Sequence, residues 1–248
     1  MAIVYSIIIV TFIACLILTP LVIKFCRKYG FVDIPKDSRR VHSKPMPRIG
    51  GIAIVASVFI GLILYILITK DIPSIALNHK AYGYMIGGLL IFAMGLIDDI
   101  WSLRARHKFI FQLLAAITIY SFGIRIADMK IPFIYTDTIN LGSMALPTIM
   151  DLIQGTCNIT QFFQSFLTIS FPITLIWVIG LTNAVNLIDG LDGLAAGISA
   201  ISATALLIIF ITTSASLEAI IITAVLVGAT LGFLPYNFNP AKTFMRRL

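Results

Sequence analysis

The run from Ile3 to Phe25 is apolar almost throughout and long enough to cross a membrane, and six more apolar stretches follow it. A helix needs roughly 20 such residues to cross a hydrocarbon core of about 30 Å. The six are Gly51 to Ile68, Tyr82 to Ile97, His107 to Phe122, Ile169 to Leu187, Leu191 to Ile211 and Leu217 to Pro235. A lipid-embedded backbone must satisfy its own hydrogen bonds, which leaves helices or closed barrels; runs of this length select helices. With 59% hydrophobic residues, 12% charged and a mean hydropathy of +1.01, the composition lies outside the soluble range. The expected fold is all-α, a polytopic membrane helix bundle of about seven transmembrane helices forming one domain over residues 1–248.

The first run lacks a basic leader and an A-x-A-like cleavage site, so it reads as a retained span rather than a signal peptide. Cys15, Cys26 and Cys157 are odd in number and lack C-x-x-C spacing, which indicates neither a disulfide framework nor a zinc site. The net charge of +7 suggests cytoplasmic loops before it suggests nucleic acid, and no nucleic-acid partner is expected.

Basic residues alternate in density from loop to loop. Lys24, Arg27, Lys28, Lys36, Arg39, Arg40, Lys44, Arg48, Arg104, Arg106, Lys108, Lys242, Arg246 and Arg247 fall on one side, and Lys70, Lys80, Arg125 and Lys130 on the other. The crowded side is expected to be cytoplasmic, with the N-terminus outside. Asp98 and Asp99 then end the third span on the cytoplasmic face, and Asp189 and Asp192 occupy the turn between spans five and six. The long outer segment 125–168 carries Pro132, Pro147, Gly142 and Gly155 as breakers, with enough apolar content for a hairpin or interfacial helix. Its Asn158-Ile159-Thr160 sequon is a common chance pattern and receives no function.

Three stretches carry chemistry. In "MGLIDDIW" two adjacent carboxylates end an apolar run; successive helical residues point about 100° apart, so the pair can serve two different partners. The bland alternative is charge balance against Arg104, Arg106 and Lys108. In "NAVNLIDGLDGLAAG" the residues Asn183, Asn186, Asp189 and Asp192 recur every third position, a stripe along one helical face. Gly190 and Gly193 permit backbone excursions and close approach of a ligand. In "VDIPKDSRRVHSKPMPRIGG" a basic, proline-stiffened loop offers His42, Arg39, Arg40 and Arg48. Arg forks grip phosphate and Mg²⁺ links carboxylates to phosphate oxygens, so these pieces together suit phosphoryl transfer at the membrane surface. A transporter using the acids as a cation site is a competing class, but such sites usually lie at the bilayer midplane.

With "GLIDDIWSLRARHKFIFQ" and "GFLPYNFNPAKTFM", these motifs make the chain resemble the polyprenyl-phosphate N-acetylhexosamine-1-phosphate transferases, from the first span to Met245. The resemblance implies transfer of a sugar 1-phosphate from a UDP-sugar to a lipid phosphate such as undecaprenyl phosphate, with release of UMP, at a multi-pass bacterial plasma-membrane protein whose site faces the cytoplasm. The "RRVHSKPMPRIGG" loop is more similar to the GlcNAc-1-phosphate branch that starts teichoic acids and related glycans than to the phospho-MurNAc-pentapeptide transferases of peptidoglycan synthesis. The implied partners are a UDP-N-acetylhexosamine such as UDP-GlcNAc, a polyprenyl phosphate and, in a homodimer, a second copy of the chain. The implied cofactor is Mg²⁺, or Mn²⁺ in its place.

By the same resemblance Asp98 and Asp99 are the catalytic and metal-facing carboxylates. Asp98 would sit beside the attacking lipid phosphate as positioning group, base or covalent nucleophile. Lys108, Asn183, Asn186, Asp189, Asp192, Asn237 and His42 are the substrate-binding candidates. The family continues past "NPAKTFM" with Gly-Asp-x-Gly, whose aspartate binds metal, whereas Arg247 stands in that place here. The expectation is therefore a chain truncated relative to the family, without its C-terminal helices, whose own activity is in question; a non-catalytic membrane protein is the corresponding alternative.

Overall fold

The computed structural model describes residues 2–33, 46–47, 49–69, 78–129, 139–140 and 146–244. Every expected span is a helix: α1 (Ala2–Tyr29), α2 (Gly51–Thr69), α3 (His79–Trp101), α4 (Ala105–Ser121), α7 (Ser170–Ile188), α8 (Leu194–Thr212) and α9 (Leu217–Asn237). Six of them are long and apolar enough to cross a membrane. The seventh, α4, has 17 residues, about 25 Å at 1.5 Å per residue. Its first turn carries Arg106, His107 and Lys108, so it is short of a full span unless its ends are solvated at the interface.

The long segment before α7 holds two short helices, α5 (Ile149–Ile153) and α6 (Ile159–Gln164), and a one-turn 3₁₀ helix, Ser165–Leu167. Two antiparallel ladders of two residues each complete the described secondary structure. Strand β1 (Val32–Asp33) pairs with β2 (Met46–Pro47), and β3 (Asp128–Met129) with β4 (Ile139–Asn140). The segment thus holds both the hairpin and the short helices that its composition allows.

The chain divides into two compact units. The first comprises residues 1–77, 95–102 and 185–248 and is built on α1, α2, α8 and α9. Its most enclosed helix is α9, with 61% of its span buried against 28% for α1 and α2, so α9 is the central strut. The core gathers Cys15, Ala53, Ile54, Ala196, Ala229 and Phe233, with Leu18, Val22, Val58 and Leu234 packed around it.

Small residues set how closely these helices approach. A Cβ on Gly228 would collide with Thr11 Oγ1 and stand 2.5 Å from the Ile8 carbonyl; one on Gly232 would lie 2.5 Å from the Phe12 carbonyl. A Cβ on Gly61 of α2 would run into Thr11 Cγ2. With no hydrophobic driving force between helices in lipid, such backbone proximity supplies the dispersion contacts that hold them. The buried hydroxyls spend their donors within their own helices: Thr11 to Ile7 O at 2.8 Å, Thr19 to Cys15 O at 2.7 Å and Ser57 to Ile54 O at 2.7 Å. One backbone acceptor needs help from outside. Pro20 has no N–H to offer the Leu16 carbonyl four residues earlier, and the Tyr236 hydroxyl of α9 donates to that oxygen at 3.0 Å.

The second unit comprises residues 78–94 and 103–184. Here α3 and α4 meet closely, since a Cβ on Gly87 would stand 2.5 Å from Ile119 Cγ1. Tyr120 is the hub: its hydroxyl donates to Ser165 O at 2.7 Å, and its ring packs against Phe166 and Phe171 with centroids 5.3 and 5.1 Å away. Ser170 and Thr174 of α7 exchange bonds with the Ile126 backbone, at 2.7 and 3.1 Å. Both short helices begin with reciprocal capping boxes, Thr148 with Asp151 and Asn158 with Gln161. The asparagine of the sequon is therefore a helix cap.

Replacing Gly228 by Val should lower stability in detergent by about 1–3 kcal/mol through overpacking against Thr11. Gly88→Ala, where a Cβ meets nothing within 4 Å, should leave stability undiminished or raise it by up to about 1 kcal/mol.

Candidate functional site

The polar motifs of the first unit collect at the ends of its helices. Asp98 and Asp99 lie in the last turn of α3 and are both buried, at 9% and 7% exposure. The helix stops there because Ser102 takes a left-handed conformation (φ 51°), its N–H donating to Asp98 O at 2.8 Å. Trp101 beside them is 71% exposed, as an interfacial anchor would be.

The turn between α7 and α8 packs on the chain that leaves α9. Asp192 Oδ2 accepts from the Ala241 N–H at 3.0 Å. Gly193 adopts φ +72°, and a Cβ there would lie 3.3 Å from Phe238 Cα, so this position favours glycine on both conformation and space. Asn237, buried at the end of α9, donates from Nδ2 to Thr243 O at 3.0 Å and so folds the segment back on itself.

The end of the first loop closes on the same segment. Phe244 N–H donates to Pro47 O at 3.1 Å, Gly50 N–H donates to Phe244 O at 3.1 Å, and Thr243 Oγ1 donates to Pro47 O at 3.3 Å. A Cβ on Gly50 would collide with the Phe244 carbonyl. Met46, Ala241 and Phe244 form a small apolar cluster beneath these bonds. Three stretches that the sequence keeps far apart, Met46 to Gly50, Asp192 to Gly193 and Asn237 to Phe244, thus form one interlocked structure.

The expected stripe from Asn183 to Asp192 is only partly helical. Asn183 and Asn186 lie on α7, but the helix ends at Ile188, and the Gly190 N–H turns back to Ile188 O at 2.8 Å. The glycines break the periodicity, and Asp192 leaves the stripe to bind Ala241 instead. The first unit holds Asp98, Asp99, Asn186, Asp189, Asp192 and Asn237, whereas Lys108 and Asn183 belong to the second. There Asn183 forms a reciprocal amide pair with Gln112 of α4, at 3.2 and 3.1 Å, and also donates to Ile179 O at 2.9 Å. Gln112, at 4% exposure, is held in that pair and would fix the Asn183 side chain. Nothing in the sequence marks it, because its burial and its partner appear only in the fold. His42, Arg39, Arg40, Arg48 and Arg247 lie outside the described residues.

Among the described residues no group of three or more His, Cys, Asp or Glu is gathered to hold a metal ion. The Asp98–Asp99 pair nonetheless suits Mg²⁺, which commonly takes one or two carboxylates and completes its octahedron with water and substrate phosphates.

Residues 81–245 match the glycosyl transferase family 4. The chain is 37% identical over 237 residues to the probable undecaprenyl-phosphate N-acetylglucosaminyl 1-phosphate transferase of Bacillus subtilis (strain 168), covering 96% of this chain and 56% of that protein. It is 33% identical over 232 residues to the decaprenyl-phosphate N-acetylglucosaminephosphotransferase of Mycolicibacterium smegmatis, covering 88% and 49%. It is 31% identical over 253 residues to the phospho-N-acetylmuramoyl-pentapeptide-transferase of Halalkalibacterium halodurans, covering 96% and 67%. The chain spans about half the length of the first two relatives.

Asp192→Ala should cost about 1.5–3 kcal/mol, the worth of a hydrogen bond to a charged group, and should strip the Ala241 amide of protection in hydrogen exchange. Asp192→Asn, which keeps a carbonyl acceptor, should retain most of that protection.

Proposed function

The chain belongs to glycosyl transferase family 4, and from that membership we propose that it carries out, or supplies the membrane core for, transfer of an N-acetylhexosamine 1-phosphate from a UDP-sugar to a polyprenyl phosphate. The observation that carries this reading is the buried carboxylate pair of Asp98 and Asp99, in the unit where the Asp192 turn and the Asn237 segment lock together. The preferred substrates are UDP-GlcNAc and undecaprenyl phosphate, and the product would initiate teichoic acid or a related surface glycan. The names of the Bacillus and Mycolicibacterium relatives support GlcNAc as the sugar. The basic first loop supports a site on the cytoplasmic face.

In this reaction an oxygen of the lipid phosphate attacks the sugar-bearing phosphorus of the UDP-sugar. The bond between that phosphorus and the bridging oxygen breaks, and UMP leaves with the electron pair. The second pKa of a phosphate monoester is near 6, so the nucleophile is already largely dianionic at neutral pH. Asp98 then orients it and needs to remove no proton. Asp99 on the next helical position faces a second direction and would share with Asp98 the holding of Mg²⁺. Once bound, such an ion neutralises pyrophosphate charge. Asn186, Asp189 and Asp192 would receive hydroxyl and amide groups of the nucleotide-sugar, with Asn237 fixing the segment that leaves α9.

A second reading keeps the chemistry and changes the sugar. The match to the Halalkalibacterium relative favours UDP-MurNAc-pentapeptide as the donor to be compared.

Membranes carrying the chain, given undecaprenyl phosphate, Mg²⁺ and either donor, should release UMP from UDP-GlcNAc and little from UDP-MurNAc-pentapeptide; the opposite preference selects the second reading. Asp98→Asn should lower kcat by about 10²-fold through lost positioning of the lipid phosphate. The residual rate should still rise with pH through about 6, because the titrating group is the lipid phosphate. A rate unaffected by Asp98→Asn would contradict the assignment.

A further inference from the structure

The second unit contains a cationic cluster that the transferase reading does not use. It lies at the N-terminal end of α3, where His79 and Lys80 begin the helix, and in the turn after α4, which carries Arg125. The two segments meet around Gly123. A Cβ on that glycine (φ +82°) would stand 3.7 Å from Arg125 Nη2, 3.8 Å from Lys80 Cε and 3.0 Å from Thr148 Cγ2. By the charge count only four basic residues fall on the sparse side of the membrane, Lys70, Lys80, Arg125 and Lys130, and the fold draws two of them to one place with a histidine.

Part of Arg125 is accounted for structurally. Its Nη2 donates to Leu146 O at 2.8 Å, and its guanidinium lies 5.2 Å from the centre of the Tyr120 ring. The remaining donors are not: among the described residues Arg125 Nη1 and His79 Nε2 are buried atoms with no hydrogen-bond partner, a costly condition for polar groups. The nearby carboxylate is already engaged. Asp151 Oδ2 accepts from both Thr148 N and Thr148 Oγ1 at 2.7 Å, and among the described residues no ion pair joins it to Lys80 or Arg125. Those hydrogen bonds, with a smaller contribution from His79, hold the Asp151 carboxyl below its ordinary pKa, which keeps it an anion without making it the partner of Arg125.

We infer that His79, Lys80 and Arg125 form a binding site for a phosphate group, carried by an anionic lipid headgroup or by free phosphate. A tetrahedral oxyanion accepts from several directions at once, which suits one planar guanidinium donor, one mobile ammonium and one imidazole. The positive end of the α3 dipole adds to the field at the same point. The position at the start of a membrane-spanning helix is where headgroups lie.

The test is native mass spectrometry of the purified protein released from detergent, with phosphatidylglycerol, phosphatidylcholine and inorganic phosphate as separate probes. The expected result is preferential retention of phosphatidylglycerol or binding of phosphate, either one weakened about tenfold by Lys80→Gln and by His79→Gln. The Lys80 side chain is exposed and neither variant removes the Arg125 staple, so both should fold; Arg125→Lys, which keeps charge and loses the fork, should give an intermediate loss. Retention of phosphatidylglycerol that inorganic phosphate does not displace assigns the site to a lipid, and displacement assigns it to the free anion. Binding of neither probe, or binding indifferent to the Lys80 and His79 variants, overturns the inference.

Discussion

The first unit depends on how closely α1 and α9 approach. Thr11 sits against Gly228 and Gly61, and Gly232 lies beneath the Phe12 carbonyl, so three helices meet at distances that admit no side chain on those glycines. In a lipid environment this contact, rather than apolar burial, separates a packed bundle from loose helices. At its penultimate residue, α9 also repairs α1. The Tyr236 hydroxyl satisfies the Leu16 carbonyl that Pro20 leaves without a helical donor. The same contact that secures α1 therefore fixes the register of α9 where its C-terminal end delivers Asn237.

From that fixed end the site follows by short-range bonds. Asn237 turns the departing chain back through Thr243, Asp192 receives Ala241, and Pro47 and Gly50 exchange backbone bonds with Phe244. Each bond is modest alone. Together they close the chain that enters α2, an interhelical turn and a helix exit onto one another. Positioning of this kind is what the proposed phosphoryl transfer would need, since such a reaction gains more from held charges than from protein covalent chemistry.

The helices were legible because their length is dictated by the bilayer, and each expected span has its helix. Their buried faces were not. On α1 the enclosed stripe runs through Thr11, Cys15 and Thr19, while Ile9, Ile13, Ile17 and Leu21 are exposed, so hydropathy points to the lipid and not to the core. The candidate site residues stand out in the sequence by their rarity, carboxylates and amides at the ends of apolar runs. The interlock was not, because its bonds run mainly through backbone groups of Pro47, Gly50, Ala241 and Phe244, which leave no mark on residue type. The third-position spacing also overstated the helix: Gly190 and Gly193 ended it and freed Asp192 for a different partner. Gln112 was hidden for the opposite reason, since its role appears only when Asn183 is placed opposite it.

The central claim is that Met46, Pro47 and Gly50, the α7–α8 turn and the segment after α9 build one structure. It is tested most directly by oxidative cross-linking of a Met46→Cys, Phe244→Cys pair in a Cys157→Ser background. Cys15 and Cys26 are buried and remain in place. The account predicts rapid formation of an intramolecular disulfide between positions 46 and 244, detected after proteolysis between them, and its loss when Gly50→Val forces the two strands apart. Failure of the pair to cross-link in folded protein, or cross-linking indifferent to Gly50→Val, would contradict it.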